Sequence, residues 1–197
     1  ALRPEPEMPG MSEVLPYLHV STYASWQAVG KWWWGLVQDQ LYADTELKRT
    51  VAALKAGAKD EAELVRRIYG WAVDHTRYVA LEFGIYSYKP YPVSQVYARR
   101  YGDCKDKASL MIALLRAAGI EAEIALVRTR RLGDIGERAV SISVFNHAVV
   151  YLPEHDLWLD GTAEYAGSRE LPLDDQGAMA LTVSAGVRSR SMIVTVP

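Results

Sequence analysis

Apolar residues in the first half of the chain recur every three or four positions, which is the spacing of helices with one buried face. The pattern predicts three helices, which run from Ser21 or Ser25 to about Leu41, from Asp44 to Lys55, and from Asp60 to about His75. Their starts coincide with serine and aspartate residues, whose side chains cap helix N-termini, and Gly57 ends the second helix. The first half of the chain is therefore expected to be helical.

The middle of the chain alternates briefly and then becomes almost wholly apolar. Tyr78 to Phe83 alternates like a short strand, and Ser94 is the expected N-cap of a short helix through Tyr97. From Lys105 to Ala118 the pattern is helical again, and Gly119 ends it. Polar residues mark only a narrow stripe on this helix, at Lys105, Ser109 and Arg116. Because it is apolar on most sides, this helix should lie at the centre of the fold.

Strand patterns dominate after Ile120. The predicted strands are Glu121 to Arg128, Val140 to Leu152, Leu157 to Asp160, Ala180 to Ala185 and Met192 to Val196. The tight turn expected at 153–156 lets the second and third of these strands pair as antiparallel neighbours. Helices followed by strands indicate an α+β fold with N-terminal helices and a central helix packed on an antiparallel sheet.

Residues 1–20 are rich in proline and should form an extended arm, and 21–197 should form a single domain. The net charge is −2 and the basic residues are dispersed, so no nucleic-acid partner is expected. No stretch approaches the roughly 20 apolar residues that span a membrane. The chain begins without methionine or a signal peptide, which suggests a fragment of a longer protein with other domains. Its compartment is therefore unknown, and a periplasmic or cell-envelope protein is one reading.

The first predicted helix carries Trp26 and three consecutive tryptophans, Trp32, Trp33 and Trp34. Three neighbouring residues cannot share one helical face, so at least one should pack outside the main core. The ring that lies outside either packs against another helix or forms a wall for a substrate or a neighbouring domain.

Cys104 is the only cysteine, so the chain has no internal disulfide and no second cysteine for a zinc site. No cofactor or metal is expected. The cysteine follows Gly102-Asp103 where a loop becomes a helix, and both the unpaired N–H groups and the dipole of a first turn favour a thiolate. Its own backbone N–H is placed to donate into an oxyanion hole. This position favours a nucleophile over a small core residue.

A histidine and an aspartate follow in the chain, and they could serve as the base for the thiol and as the group that orients this base. His147 interrupts an apolar strand, where an imidazole needs a partner, and Asp160 ends the strand expected to pair with it. His75, His155 and His19 lie at a helix end, in a turn and in the arm, and are not expected to be catalytic. Asp103 and Asp106 flank the thiol and are assigned structural roles, as an N-cap and as a charge facing the helix dipole. Cys104, His147 and Asp160 therefore form the candidate triad.

The region from about Asp60 to Thr162 resembles a transglutaminase-like domain. The resemblance is carried by four segments, which are Tyr-Gly-Asp-Cys-Lys-Asp-Lys-Ala-Ser-Leu from Tyr101, Leu-Leu-Arg-Ala-Ala-Gly-Ile from Leu114, Asn-His-Ala-Val-Val from Asn146, and Trp-Leu-Asp-Gly-Thr from Trp158. Ser25-Trp26 and Glu82-Phe83-Gly84 are similar to a bacterial subgroup in which the domain follows a larger N-terminal domain of unknown function.

The resemblance implies a papain-like cysteine-protease fold with Cys104, His147 and Asp160 as the triad. In the cross-linking relatives a tryptophan donates to the oxyanion, and the corresponding position here is Tyr91, with Gln95 as the alternative. Those enzymes also carry an aromatic residue after the cysteine, where this chain has Lys105. No acidic cluster has calcium-loop spacing, so neither cross-linking nor calcium dependence is expected.

Three functions remain open from the sequence. The first is a cysteine-dependent amide hydrolase or acyltransferase that acts on a peptide or protein through a thioester. The second is a peptide- or carbohydrate-binding module on the same scaffold, suggested by six tryptophans and twelve tyrosines, with Tyr86, Tyr88 and Tyr91 just before the cysteine. A structural part of a cell-envelope protein, with Trp32 to Trp34 covered by another domain, is the third reading.

Overall fold

The structure, a computed structural model, describes residues 5, 8–134, 136, 140–184 and 191–197. The α-helices in this part of the chain are α1 (Met11–Val14), α2 (Trp26–Val37), α3 (Thr45–Ala56), α4 (Glu61–His75), α5 (Val93–Arg99) and α6 (Cys104–Ala118). The strands are β1 (Arg77–Tyr78), β2 (Tyr101–Gly102), β3 (Glu123–Arg128), β4 (His147–Leu152), β5 (Leu157–Leu159), β6 (Met179–Val183) and β7 (Met192–Thr195). Helices precede the main sheet, which confirms the predicted α+β class.

The main sheet has the strand order β5-β4-β3-β6-β7, and every neighbouring pair in it is antiparallel. The predicted pairing of β4 with β5 is confirmed, with Val150 opposite Leu159 and Leu152 opposite Leu157. In the centre, Val127 of β3 lies opposite His147 on one side and Ala180 on the other. The first residue of β4 thus lies near the loop that enters β6.

The helix α6 is the centre of the molecule, as its apolar pattern predicted. It begins after the N-cap Asp103 and ends at Gly119, whose φ of 93° places it in the left-handed region that favours glycine. The expected polar stripe is wrong in one respect, because two of its residues, Lys105 and Ser109, are buried, and so is Lys107. The ammonium of Lys107 donates to the backbone carbonyl of Thr76, so it has a partner inside the protein.

Helix starts in the first half follow the predicted caps. The side chains of Ser25, Asp44 and Asp60 each accept a hydrogen bond from a first-turn N–H. Ser94 is not a cap, because α5 begins one residue earlier, after Pro92. The side chain of Glu63 accepts from the N–H of Lys59 instead of closing a capping box with Asp60.

Two predicted strands are shorter than expected. The strand predicted over 78–83 is limited to Arg77–Tyr78, and a 3₁₀ turn follows at Gly84–Ser87. The strand predicted over 140–152 starts only at His147, because the Ser141 side chain caps a 3₁₀ turn at Ile142–Val144. The prediction for 180–185 ends on Ala185, which lies outside the described residues.

The arm predicted over 1–20 contains the short helix α1, and residues 1–4, 6 and 7 lie outside the described part of the chain. The Ser12 hydroxyl donates to the carbonyl oxygen of Leu132 at 2.8 Å, so this segment packs on the domain. None of the helices in the described residues is long and apolar enough to cross a membrane.

The tryptophans of α2 divide as the helical period requires. Trp33 is 1% exposed and belongs to the core, whereas Trp32 is 38% exposed. The indole N–H of Trp33 donates to the carbonyl oxygen of Tyr88 at 2.9 Å. This bond ties the helix to the loop that precedes α5.

Candidate active site

Cys104 is the first residue of α6 and is 8% exposed. The short strand β2 leads into it, and β1 runs parallel to β2 with Tyr78 opposite Gly102. A Cβ added to Gly102 would lie 2.5 Å from the Cβ of Asp106, so only glycine fits there. The neighbour that requires a glycine at this position is therefore Asp106.

The carboxylates of Asp103 and Asp106 hold the first turn of α6, which carries the thiol. The Asp103 carboxylate accepts from the N–H of Asp106, and the Asp106 carboxylate accepts from the N–H of Asp103, which makes a reciprocal capping box. Lys105 pairs with Asp103, and Arg99 donates to Asp106 at 2.8 Å. Both carboxylates are buried. Their hydrogen bonds and ion pairs hold the start of α6, in agreement with the structural roles expected from the sequence.

His147 and Asp160 are brought to the same place by β4 and by the end of β5. The Nε2 atom of His147 lies 3.3 Å from Oδ2 of Asp160. The other carboxylate oxygen, Oδ1, accepts from the backbone N–H and the hydroxyl of Thr162, both at 2.8 Å. Asp160 is 2% exposed, so Thr162 fixes a buried carboxylate in the direction of the imidazole.

The imidazole of His147 interacts with both of the other predicted residues, Cys104 and Asp160. Burial opposes its charge, but hydrogen bonds to Asp160 and to Cys104 raise the pKa of His147 well above its usual value. Burial likewise opposes the charge of Asp160, whereas its hydrogen bond to His147 lowers the pKa of that carboxyl. The structure thus places Cys104, His147 and Asp160 in one connected group.

A further carboxyl, Asp175, lies 3.8 Å from Nε2 of His147. Ligand atoms of His147, Asp160 and Asp175 all lie within 4.8 Å of one another, which is close enough for a metal site. An ion would have to displace the hydrogen bonds that connect His147 with Asp160 and Cys104. The arrangement therefore suits proton transfer better than metal binding.

The thiol opens on a cleft of about 120 Å³. Its lining residues are Trp33, Glu82, Ser87, Tyr88, Cys104, Lys105, Leu126, Ile142, Phe145, Asn146, His147 and Ala148. Trp33, Tyr88 and Phe145 supply aromatic surface, and Glu82 is an exposed carboxylate at its mouth. A substrate in this cleft would lie directly against Cys104 and His147.

Tyr91 and Gln95 are not among the residues that line the cleft. The Tyr91 ring stacks on Tyr86, with ring centroids 4.0 Å apart. The Arg99 guanidinium also lies over the Tyr91 ring, 4.2 Å from its centroid. Gln95 is exposed on α5. The position suggested by the family resemblance therefore places its tyrosine in a packed aromatic cluster.

Tyr78 is a candidate that the sequence did not indicate. It lies on β1 beside the strand that leads to Cys104, and it is 42% exposed. Burial and then the negative charge of Cys104 raise the pKa of the Tyr78 hydroxyl to about 12. The hydroxyl therefore stays protonated near the thiol and can donate a hydrogen bond. Only the pairing of β1 with β2 reveals it, because Tyr78 is far from the cysteine in sequence.

Solved structures similar to this chain include two bacterial proteins. A "putative protease" from Parabacteroides distasonis ATCC 8503 has a similar structure, with a TM-score of 0.64 and 19% sequence identity. The similarity covers 89% of this chain and 32% of that one, so this chain spans about a third of its length. A "putative cysteine protease" from Cytophaga hutchinsonii gives a TM-score of 0.45 and 15% identity, over 80% of this chain and 55% of that one. Among curated proteins there is no match.

The sequence itself matches a family model over residues 48–160, more than half of the chain. The matched region contains α4, β1 and β2, the whole of α6, and the strands β3 to β5. It thus includes the cysteine, the histidine and the aspartate that the fold brings together. On this match the chain belongs to the transglutaminase-like superfamily.

Proposed function

We propose that this domain is a cysteine-dependent amide hydrolase or acyltransferase that acts on a peptide or protein. The observation that carries the proposal is the connected group of Cys104, His147 and Asp160 opening on the cleft. In this mechanism Cys104 is the nucleophile, His147 its base, and Asp160 the group that orients and stabilises the imidazolium.

Activation begins with proton transfer from the Cys104 thiol to His147. The buried Asp160 carboxylate favours the charged imidazolium, and the pKa of His147 lies well above its usual value. The products of this transfer are the thiolate and the imidazolium, and the N–H groups at the start of α6 lie beside the sulfur. When the pH rises through the raised pKa of His147, the imidazolium loses its proton and can no longer act as an acid.

The thiolate attacks the carbonyl carbon of the amide, and a C–S bond forms while the carbonyl oxygen becomes an oxyanion. His147 donates its proton to the departing amine nitrogen as the C–N bond breaks, which leaves a thioester on Cys104. Water or an amine then attacks the thioester and gives its proton to His147. The C–S bond breaks, and the acid or the new amide leaves.

The oxyanion needs donors close to Cys104. The backbone N–H of Cys104 belongs to the first turn of α6, where N–H groups lack partners within the helix. None of Tyr78, Tyr91 and Gln95 is among the residues that line the cleft. We assign the Tyr78 hydroxyl as the side-chain donor, because the charge of Cys104 acts on it and burial raises its pKa to about 12, whereas Tyr91 is stacked on Tyr86 and Gln95 is exposed. The two donors belong to different elements, α6 and β1.

Tyr78→Phe is expected to lower kcat by about 10- to 100-fold, since loss of one oxyanion donor typically costs about that much or more. The rate of Cys104 alkylation should change little, because the thiolate forms without the hydroxyl. Steady-state kinetics on an amide substrate measure the first effect, and mass spectrometry measures the second. Tyr165→Phe, at a fully exposed tyrosine, is the matched control. Equal kcat values for the Tyr78 variant and the wild type would remove Tyr78 from the site.

The wild-type protein should react with iodoacetamide at pH 6 to 7 faster than free cysteine does, because free cysteine is mostly a thiol below pH 8. Since Cys104 is the only cysteine, intact-protein mass spectrometry measures its modification without digestion. Alkylation no faster than that of free cysteine would contradict an activated thiolate.

Turnover should then be measured on a panel of peptide amides, with and without an added amine, for the wild type beside Cys104→Ala. Hydrolysis without the amine indicates a hydrolase, and product that incorporates the amine indicates an acyltransferase. A wild type that binds a peptide or carbohydrate as well as Cys104→Ala does, with no turnover of any amide, would instead support the binding module suggested by the aromatic residues of the cleft.

This chain spans about a third of the length of its Parabacteroides neighbour. We propose that other domains of a longer chain help to present the peptide or protein substrate to this cleft. The activity panel should therefore include the full-length protein.

A further inference from the structure

The turn before β6 contains one buried residue among exposed ones. In the segment 173–177, Leu173, Asp174, Gln176 and Gly177 are all exposed, whereas Asp175 is 2% exposed. Burying a carboxyl costs free energy unless the group has a partner. The groups that the Asp175 carboxyl faces should therefore explain why it is buried.

The backbone of this turn is fixed independently of the Asp175 side chain. The N–H of Asp175 donates to the carbonyl oxygen of Pro172 at 2.9 Å, and its own carbonyl accepts from Ala178 at 3.1 Å. Gly177 donates to Val196 beyond β7 at 2.9 Å. These bonds hold the turn, so the inward direction of the carboxyl is not needed to close it.

The carboxyl faces the imidazole of His147. Its Oδ2 atom lies 3.8 Å from Nε2 of His147, the same nitrogen that lies 3.3 Å from Asp160. No described residue forms a hydrogen bond with this buried Oδ2. An aspartate with a capping or cross-linking role would have such a bond, whereas the groups beside this one are the His147 ring and the Asp160 carboxyl.

We propose that Asp175 is a positioning residue of the active site, a second carboxylate that together with Asp160 holds the His147 ring in its charged form. The proposal rests on the proposed function for its role in catalysis. It assigns Asp175 no contact with substrate. Asp160 directs the ring through its hydrogen bond, and Asp175 adds negative charge on the same side of the imidazole.

The charges around Asp175 give this role a dependence on pH. Burial raises the pKa of Asp175 to about 6, with His147 of β4 opposing that rise and Asp160 and the neighbouring Asp174 adding to it. From α6, Cys104 acts on His147, and the charges of Glu164 and Asp160 act on Lys107. Below that pH a neutral Asp175 can donate a hydrogen bond to Asp160, and above it the ionised group supports the imidazolium.

The test is an NMR titration of His147 in the wild type, Asp175→Asn and Asp174→Asn. Loss of a negative charge close to the imidazole should lower the pKa of His147 by about 1 or more. Asp174→Asn removes the same charge from the same turn but at an exposed carboxylate, and it should leave that pKa nearly unchanged. An unchanged pKa of His147 in Asp175→Asn would overturn the proposal.

A second measurement needs no variant and so does not depend on how Asp175→Asn folds. The carboxyl carbon of Asp175, followed by NMR in the wild-type protein, should titrate near pH 6, well above the ordinary value of about 3.9 for aspartate. Titration at the ordinary value would contradict the burial that sets this carboxyl apart in the turn.

Both measurements are independent of turnover. If no amide is cleaved but His147 responds to Asp175→Asn, the proposed function fails and the role of Asp175 stands. If amides are cleaved and His147 does not respond, the reverse holds. When both hold, the alkaline limb of kcat should move to lower pH in Asp175→Asn, because that limb follows the imidazolium. The acid limb should stay, because Asp175 is already neutral there.

Discussion

Asp160→Asn should slow both turnover and the alkylation of Cys104 near neutral pH, with little change in melting temperature. The amide has nearly the size of the carboxylate, so the space between His147 and Thr162 stays filled. It lacks the negative charge that stabilises the imidazolium, and it can favour the wrong tautomer. In serine proteases such a change costs about 10⁴-fold in kcat. A preformed thiolate–imidazolium pair should lose less, roughly 10- to 10³-fold.

The alternative for Asp160 is a purely structural role as the acceptor of the Thr162 N–H and hydroxyl. Thr162→Val removes the hydroxyl and leaves the carboxylate, which makes it the matched control. It should affect melting temperature more than thiol reactivity. A large loss of melting temperature in Asp160→Asn, with unaltered alkylation, would remove Asp160 from the triad.

Asp106→Ala is expected to reduce the free energy of unfolding by about 3–5 kcal/mol, which is the usual effect of breaking a buried ion pair from one side. Asp106 is fully buried, and its carboxylate accepts from Arg99 and from the backbone N–H of Tyr91, both at 2.8 Å. It also accepts from the N–H of Asp103 at 3.3 Å. The alanine leaves one guanidinium and two N–H groups without this acceptor.

Denaturant unfolding of Asp106→Ala beside Asp60→Ala measures the difference. Both aspartates act at a helix start, but Asp60 is exposed and accepts one cap bond, so its loss should cost only about 1 kcal/mol. Equal losses for the two variants would show that the buried network beneath Cys104 adds nothing beyond an ordinary cap.

Features set by local chemistry were predicted from the sequence. Ser25, Asp44 and Asp60 cap their helices, and Gly119 ends α6, because a cap depends on residues within one turn. The succession of strands along the chain was also predicted, and the pairing of β4 with β5 followed from the short turn between them. The placing of Cys104, His147 and Asp160 in one group needed only that pairing and the central position of α6.

Features set by distant contacts were not predicted. The sequence did not indicate that Lys107 is buried, with its ammonium donating to the backbone carbonyl of Thr76 from a distant part of the chain. Tyr78 comes beside the cysteine only when β1 pairs with β2. Asp175 belongs to a turn whose sequence resembles any exposed turn, and only the sheet order brings it to His147.

The residues of the candidate site lie on elements that follow one another along the chain. Cys104 lies on a helix, whereas its base and the carboxylates beside that base arrive later, with the strands β4 and β5 and the turn before β6. A chain made from its N-terminus therefore completes the nucleophile before anything can activate it. In the proposed mechanism the thiol gains its reactivity only when the sheet has assembled against α6, so the proposed chemistry becomes available as folding ends.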